Sequence, residues 1–322
     1  MQSKAEVPHW ALVSCLGPET RSLSVHAVLK ARDALACYRY LDIKNPVYEY
    51  SQVFEANKEA IRQKFFALGG DQTSIKGMHL IDSTHFDIVD FVQRDIAGLG
   101  ESIILDISTM PKRFFFPILR KLIESLRGGT LKNLAVCYSI PERYTKDRLA
   151  WNHDEWGSLP LYHGRYTRRK TEKIVISIGF ETLGLIPQLE NEKGASGAAV
   201  LLLPFPSTLG WTIRCWDTVE RIVRAWGNEW KVVCCDSRDV SQAFDQMESI
   251  SNFGTREILL APYGPKPLSL AVALFAAKYD YPVFYTQPRH YHPEYSTGVE
   301  KVENMPMCIG YLLGIDGRYL YA

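Results

Sequence analysis

Two short loops carry the residues best suited to chemistry. The first, Asp106-Ile107-Ser108-Thr109-Met110-Pro111-Lys112-Arg113, ends an apolar run, Ser102 to Ile107, and leads into a helical segment, Phe114 to Leu126, stopped by Gly128-Gly129. The second, Tyr263-Gly264-Pro265-Lys266, follows Glu257 to Leu260 and leads into Leu268 to Ala277. Proline suits the first turn of a helix, because its missing N–H is a group with no intrahelical partner there. The remaining first-turn N–H groups face outward at the positive end of the helix dipole, and an adjacent lysine adds charge. That is the chemistry of an anion site. The plainer alternative is that Pro111 and Pro265 only start helices while Lys112 and Lys266 stand in solvent. Either loop alone fits the alternative; both together, on matching frames, favour ligand contact. The loops are not equivalent, since Lys112 precedes Arg113 and Lys266 precedes Pro267. Pro117 predicts a delayed or kinked start to the first helix.

The matching frames belong to a longer internal repeat. Val136-Cys-Tyr-Ser-Ile-Pro-Glu-Arg-Tyr144 and Val283-Phe-Tyr-Thr-Gln-Pro-Arg-His-Tyr291 share the pattern V-x-Y-[S/T]-x-P-x-x-Y. Val13-Ser14-Cys-Leu-Gly17-Pro-Glu19-Thr20 parallels Ile176-Ser177-Ile-Gly179-Phe-Glu181-Thr182, and Asp82-Ser83 parallels Asp236-Ser237. The interval from Asp82 to Lys112 equals that from Asp236 to Lys266. Matches in the same order at conserved spacing indicate duplication, and a period this long means two domains rather than a solenoid. Such a duplication places function where the same loops of both copies meet, in a cleft.

Apolar runs alternating with helical periodicity make each copy an α/β layer structure with a mainly parallel sheet. Candidate strands are Trp10 to Leu16, Met78 to Ile81, Ser102 to Ile107 and Leu131 to Tyr138. The second copy repeats them at Lys173 to Ile178, Ala198 to Leu203, Lys231 to Cys235, Glu257 to Leu260 and Pro282 to Tyr285. Cys308 to Leu313 and Arg318 to Tyr321 flank Gly314-Ile-Asp-Gly317 and read as a terminal β-hairpin. The expected organisation is a first Rossmann-like copy over 1–145, an ordered connector over 146–172 and a second Rossmann-like copy over 173–322.

In open α/β sheets ligands bind beyond the carboxyl ends of strands, where all four repeated motifs fall. Ser14, Gly17, Ser177 and Gly179 form turns that let backbone approach a ligand, although ordinary turn glycines look the same. Glu19 and Glu181 either stabilise a helix N-terminus or contact ribose or base; a carboxylate repels phosphate. Asp82-Ser83 and Asp236-Ser237 read as helix caps. Asp106, at the end of its strand, is the more suggestive carboxylate, and its counterpart falls near the apolar Leu260, which argues against a symmetric catalytic dyad. Tyr138, Tyr144, Tyr285 and Tyr291 offer rings for stacking but fit half-buried strand packing better.

Bulk properties narrow the classes. The 322 residues suit two domains, and 46% hydrophobic with 23% charged residues is a globular balance. A net charge of +1 does not indicate direct nucleic-acid binding. The seven cysteines form no C-x-x-C pair, which fits reduced thiols in a cytoplasmic protein and neither a disulfide framework nor a zinc site. His290 and His292 have no partner at metal-ligand spacing. Met1 to Pro8 lacks the apolar core of a signal peptide, and no apolar run is long enough for a membrane span. Arg21 with His26, and Arg148 with His153, repeat an R-x4-H spacing, in a first helix and in the connector respectively. Arg165 to Lys173, with Arg168, Arg169 and Lys170, reads as a solvated face. No cofactor motif is present.

The Asp106 to Lys112 loop resembles the strand-to-helix loop of CRISPR-associated Rossmann-fold (CARF) domains, which often reads like D-x-T-G-G-T-K, and two fused copies resemble the SAVED arrangement. Met110-Pro111 departs from the usual Gly-Thr, and Tyr263-Gly264-Pro265 departs further. The resemblance implies a sensor of cyclic oligonucleotides in antiviral defence, with ligand contacts at Ser14, Gly17, Ser108, Thr109 and Lys112 and, through the repeat, at Ser177, Gly179, Gly264 and Lys266. Asp106, Arg113 and Tyr263 join them by position. The leading expectation is a non-enzymatic sensor or adaptor that binds a nucleotide-type ligand and acts through a protein partner. One alternative is a nucleotide or nucleotide-sugar enzyme with Asp106, Glu19, Glu181 and Asp236 as acid/base candidates. The other is a structural subunit of a larger complex.

Overall fold

A computed structural model describes residues 9–164, 171–192, 197–205 and 209–322. Met1 to Pro8 and the basic residues Arg168, Arg169 and Lys170 lie outside the described residues. The chain begins with β1 (Trp10–Cys15), α1 (Ser24–Ala31), β2 (Leu35–Lys44), α2 (Ser51–Ala67), β3 (Ile75–His79) and α3 (His85–Asp90). There follow β4 (Ser102–Asp106), α4 (Lys112–Arg127), β5 (Asn133–Ser139), β6 (Arg143–Tyr144) and β7 (Ala150–Ser158). Next come β8 (Lys173–Ser177), α5 (Leu185–Glu192), β9 (Ala198–Pro204), α6 (Leu209–Trp226), β10 (Trp230–Cys235) and α7 (Val240–Ile250). Then β11 (Ile258–Pro262), α8 (Lys266–Tyr279) and β12 (Phe284–Tyr291) precede the short strands β13 (Ser296–Thr297), β14 (Lys301–Val302) and β15 (Met305–Pro306). The last two are β16 (Cys308–Ile315) and β17 (Arg318–Tyr319).

Contacts divide the chain into two compact units. Unit 1 takes the chain up to Pro111 with Lys121–Asp147 and His292–Leu320; unit 2 takes Lys112–Arg120, Arg148–Tyr291 and Tyr321–Ala322. In unit 1 a seven-stranded sheet runs β17-β16-β5-β4-β1-β2-β3. Its five strands β3, β2, β1, β4 and β5 are parallel, and β16 and β17 close the edge antiparallel. In unit 2 the parallel sheet runs β10-β9-β8-β11, and Val283 adds a parallel bridge to Leu260. Both sheets therefore wind outward in both directions from their first strand, the Rossmann-like order. The central strands are buried along nearly their whole length, Leu12, Val13, Leu105, Val175, Ile176, Leu201 and Leu260 completely. Parallel strands covered on both faces need such continuous apolar runs, and these are the runs legible in the sequence. The C-terminal hairpin is present, with Gly314 facing Tyr319.

Several expectations change. Cys308–Ile315 pairs antiparallel with β5, so the last strands belong with unit 1 and not with residues 173–322. The connector holds β7, which pairs antiparallel with β12 inside unit 2. Asp82-Ser83 and Asp236-Ser237 do not cap. Thr84 caps α3 in a reciprocal box with Asp87, and Asp239 caps α7 through Gln242 N. Ser83 Oγ instead accepts from His79 N at 2.9 Å, and Asp236 Oδ1 from Arg238 N at 2.8 Å, which ties each turn. Pro111 and Pro265 stand one residue before their helices with extended backbone, and α4 starts at Lys112, undelayed by Pro117. All seven cysteines are free; Cys234 is exposed and Cys235 buried, on opposite sides of β10. No helix among the described residues is long and apolar enough to cross a membrane.

Deleting Cys308 to Ala322 is expected to expose the β5 edge, because β16 supplies its outer ladder. Hydrogen exchange should then accelerate at Asn133–Ser139 and stay unchanged in Ala198–Pro204; unchanged exchange in β5 would refute the pairing.

Candidate functional site

In unit 1 the strand order reverses beside β1, and the Ser14 and Asp106 loops leave the carboxyl ends there. The register Val13 to Leu105 carries Ser14 alongside Asp106. Ser14 Oγ donates to Asp106 Oδ2 at 3.0 Å, while Ser108 donates to Oδ1 through its N–H at 2.9 Å and its hydroxyl at 2.5 Å. Ser139 N donates in turn to Ser108 Oγ at 2.8 Å. Thr109 Oγ1 donates to Cys15 O at 2.9 Å, and Gly17 N donates to Ser22 Oγ at 3.1 Å. A Cβ on Gly17 would lie 3.0 Å from Thr109 Cβ, so glycine is what lets the loops touch. Ser14, Gly17, Asp106, Ser108 and Thr109 thus form one bonded cluster.

Asp106 is 1% exposed. Burial pushes its pKa above the usual carboxylate range, against the pull of the Ser108 and Ser14 donors. A carboxylate so enclosed serves the loops around it as a hydrogen-bond acceptor. Glu19 is equally engaged: Arg21 Nε donates to its Oε2 at 2.9 Å, and Ser296 Oγ donates to the same oxygen. Arg21 is buried, reaches Ser139 O at 3.3 Å and lies 5.7 Å from the Tyr138 ring centre. The Tyr138 and Tyr144 hydroxyls bond each other at 3.0 Å, so these rings pack.

Unit 2 repeats the arrangement with different groups. Ser177 faces Pro262 in the β8–β11 register, so Pro262, and not Leu260, holds the place of Asp106. With no carboxylate to receive it, the Ser177 hydroxyl accepts from Gly264 N at 3.1 Å. Tyr263 N donates to Ser177 O at 3.1 Å. A Cβ on Gly179 would stand 2.2 Å from Tyr263 O, and one on Gly264 would stand 3.0 Å from Ser177 Oγ. The Tyr263 hydroxyl pairs with Thr286 Oγ1 at 2.8 Å and accepts from Thr286 N at 3.1 Å.

Lys112, grouped with unit 2, does not stand in solvent. It is 9% exposed, and its Nζ donates to Pro262 O and to Gly264 O. The ammonium lies 4.9 Å from the Tyr285 ring centre. Burial, reinforced by Lys266, pushes its pKa well below the usual lysine value. Lys112 therefore holds the Gly264 loop through its carbonyls. Lys266 is half-buried, with Nζ 5.6 Å from the Phe115 ring centre, and Arg113 is half-buried in the first turn of α4. Neither α4 nor α8 has a side-chain cap at its N-terminus.

Ser22, Ser139 and Thr286 were missed as site residues. The [S/T] position of the V-x-Y-[S/T]-x-P repeat was the signal for Ser139 and Thr286, which each tie the strand after the helix to the loop before it; Ser22 had none. No group of histidine, cysteine, aspartate and glutamate side chains among the described residues has the arrangement of a metal site. His290 bonds Asn152 at 3.1 Å, and His153 packs against Gly184.

No family model matches the chain, and no curated protein matches it. Among solved structures, Can2 from Sulfobacillus thermosulfidooxidans in complex with cyclic tetra-adenylate aligns at 14% identity and a TM-score of 0.29. That alignment covers 42% of this chain and only 38% of Can2. The cytoplasmic domain of a prokaryotic cation chloride cotransporter aligns at 10% identity and a TM-score of 0.26, over 88% of this chain and 96% of that one. The functionally unknown PA1789 of Pseudomonas aeruginosa PAO1 aligns at 12% identity and a TM-score of 0.24, over 89% and 95%. None of these likenesses bears on function.

Asp106→Ala strands the Ser108 N–H and the Ser14 hydroxyl and is expected to cost about 2–4 kcal/mol, measured by chemical denaturation. Asp106→Asn keeps an acceptor and should cost less. Because the folded carboxyl holds its proton more tightly than the unfolded one, its stabilising contribution is full below the unfolded value and is lost as pH rises through the folded value. Wild type should therefore lose stability relative to Asp106→Asn as pH rises from about 4; a constant difference would contradict the raised pKa. Gly179→Ala, forced against the Tyr263 carbonyl, should cost about 1–3 kcal/mol.

Proposed function

We propose that this chain is a sensor or adaptor for a nucleotide-type ligand, bound at the switch-point loops of its Rossmann-like units and signalled through a protein partner. The observation that carries the reading is the repeated construction. In each unit the loop after the first strand, Ser14 to Gly17 or Ser177 to Gly179, is hydrogen-bonded to the loop ahead of α4 or α8. Open α/β sheets take ligands at this position, and the first turns of α4 and α8 suit phosphate. Loops bonded to one another move together, so a ligand that favours one arrangement shifts both. Asp106, buried, and Glu19, half-buried, are both held by internal donors and lend no support to the enzyme alternative. A defence role follows from the CARF resemblance of the Asp106 to Lys112 loop, and a reducing cytoplasmic setting suits seven free cysteines.

Thermal denaturation against mononucleotides, dinucleotides, cyclic oligonucleotides and nucleotide-sugars tests the reading. Ligand at about a hundred times its Kd adds about 2.7 kcal/mol to apparent stability. A mononucleotide or oligonucleotide is expected to raise the melting temperature of wild type and not of Lys266→Ala. A shift from a nucleotide-sugar accompanied by its turnover would establish the enzyme instead, and no shift from any compound would defeat the nucleotide reading.

A further inference from the structure

The two copies carry the same Glu-Thr pair after the first strand, and the two carboxylates meet different fates. In unit 1 the next residue is Arg21, whose Nε saturates Glu19 Oε2 at 2.9 Å together with the Ser296 hydroxyl. In unit 2 the next residue is Leu183, which has no side-chain donor. Glu181 Oε1 accepts from Leu149 N at 2.6 Å and lies 3.8 Å from Arg214 Nη2. Its other oxygen, Oε2, is buried and has no partner at hydrogen-bond geometry among the described residues, with Ala150 N the further backbone donor near the carboxylate. A buried acceptor left unmade is costly to the fold, on the order of 1–3 kcal/mol, and native structures keep few of them.

The backbone beside it is strained as well. Leu183 adopts φ +44° and Gly184 φ +79°. A bulky residue is an outlier there, held only where the surroundings fix it, and such strain concentrates at ligand sites. The Leu183 carbonyl is fixed by the Thr286 hydroxyl, and a Cβ at Gly184 would stand 2.2 Å from His153 Nε2. On the other side of Glu181, the Phe180 ring meets Trp211 at 5.9 Å and carries the Arg214 guanidinium 4.8 Å above it. An acceptor, aromatic surface and a cation therefore stand on one loop and the start of α6.

We propose that Glu181 Oε2 accepts a hydrogen bond from the ribose 2′-hydroxyl of the bound nucleotide, so that unit 2 selects ribonucleotides over 2′-deoxyribonucleotides. The proposal rests on the nucleotide reading above. Burial pushes the Glu181 pKa above the usual carboxylate range, against the pull of the Leu149 N–H and the Arg214 charge. In its ionised form the carboxylate only accepts and repels phosphate, so the ligand group that suits it is a hydroxyl or amine. The 2′-hydroxyl is the donor common to every ribonucleotide and absent from every deoxyribonucleotide. It also stays free when 3′ and 5′ oxygens are closed into a phosphodiester ring. The same position in unit 1 is filled from within by Arg21, so the discrimination belongs to unit 2 alone.

Titration calorimetry with 5′-AMP, linear ApA and cyclic tetra-adenylate, each in ribo and 2′-deoxy form, decides the matter. Wild type is expected to bind the ribo form about ten- to a hundredfold more tightly, the value of one hydrogen bond to a charged group. Glu181→Ala removes the acceptor and leaves no side-chain polar group to pair with the 2′-hydroxyl, so the ratio should fall to about one. Lys266→Ala should weaken both forms alike and keep the ratio. Equal binding of ribo and deoxy forms by wild type overturns the role of Glu181 while leaving nucleotide binding in place. Selectivity that survives Glu181→Ala, in a protein that still unfolds in one cooperative transition, overturns it too. Binding of none of the probes overturns both readings.

Discussion

The buried carboxylate of Asp106 is the constraint on which unit 1 turns. Taking an ionised carboxylate out of water costs many kcal/mol unless donors replace its hydration, and here the donors come from the ends of neighbouring strands. Ser14 supplies one from β1, Ser108 supplies two from the loop after β4, and Ser108 in turn receives Ser139 N from β5. One side chain thereby fixes the relative positions of three strand ends. The Gly17–Thr109 approach and the Thr109–Cys15 hydrogen bond follow from that placement. An aspartate at the carboxyl end of a central strand, a candidate acid or base in the sequence, fastens the loops around it.

Unit 2 solves the same problem without a charge. Where Asp106 would stand it has Pro262, and the backbone N–H of Gly264 takes over as partner of the serine. The carbonyls of Pro262 and Gly264 then need a donor, which Lys112 provides from a buried position. Duplication has preserved the places where loops must be tied and exchanged the chemistry that ties them. The same exchange separates Glu19 from Glu181: the acceptor persists in both copies, and the guanidinium that satisfies it persists in one.

What was legible in the sequence follows from this. Strands buried on both faces, such as Ser102–Asp106 and Ala198–Pro204, announce themselves because their interior positions are apolar on both faces. β2, with Arg39 and Asp42 in its ladder, and β7, half exposed in a two-stranded ribbon, do not, since their polar residues erase the pattern. The repeat located the loops that come together, Ser14 with Asp106 and Ser177 with Gly264. It left the hydrogen-bond directions open, because a serine hydroxyl donates or accepts according to its neighbour. The burial of Lys112 was hidden for a related reason: nothing local to Pro111-Lys112 reports carbonyls more than a hundred residues away. The return of Cys308–Ile315 to β5 was equally hidden, as a strand carries no record of its partner beyond its face.

That returning strand sets the order of events when the chain is made. β5 leaves the ribosome long before β16, and the whole of β8 to β12 lies between them. The parallel strands of unit 1 must wait, one edge uncovered, while unit 2 is synthesised. Long-range pairing of this kind is slow and leaves edges open to other chains. Unit 2, apart from the short Lys112–Arg120 and Tyr321–Ala322 pieces, comes from one uninterrupted stretch and meets no such delay. Nascent-chain folding should thus finish out of numerical order, with the later sheet complete before the earlier one is sealed.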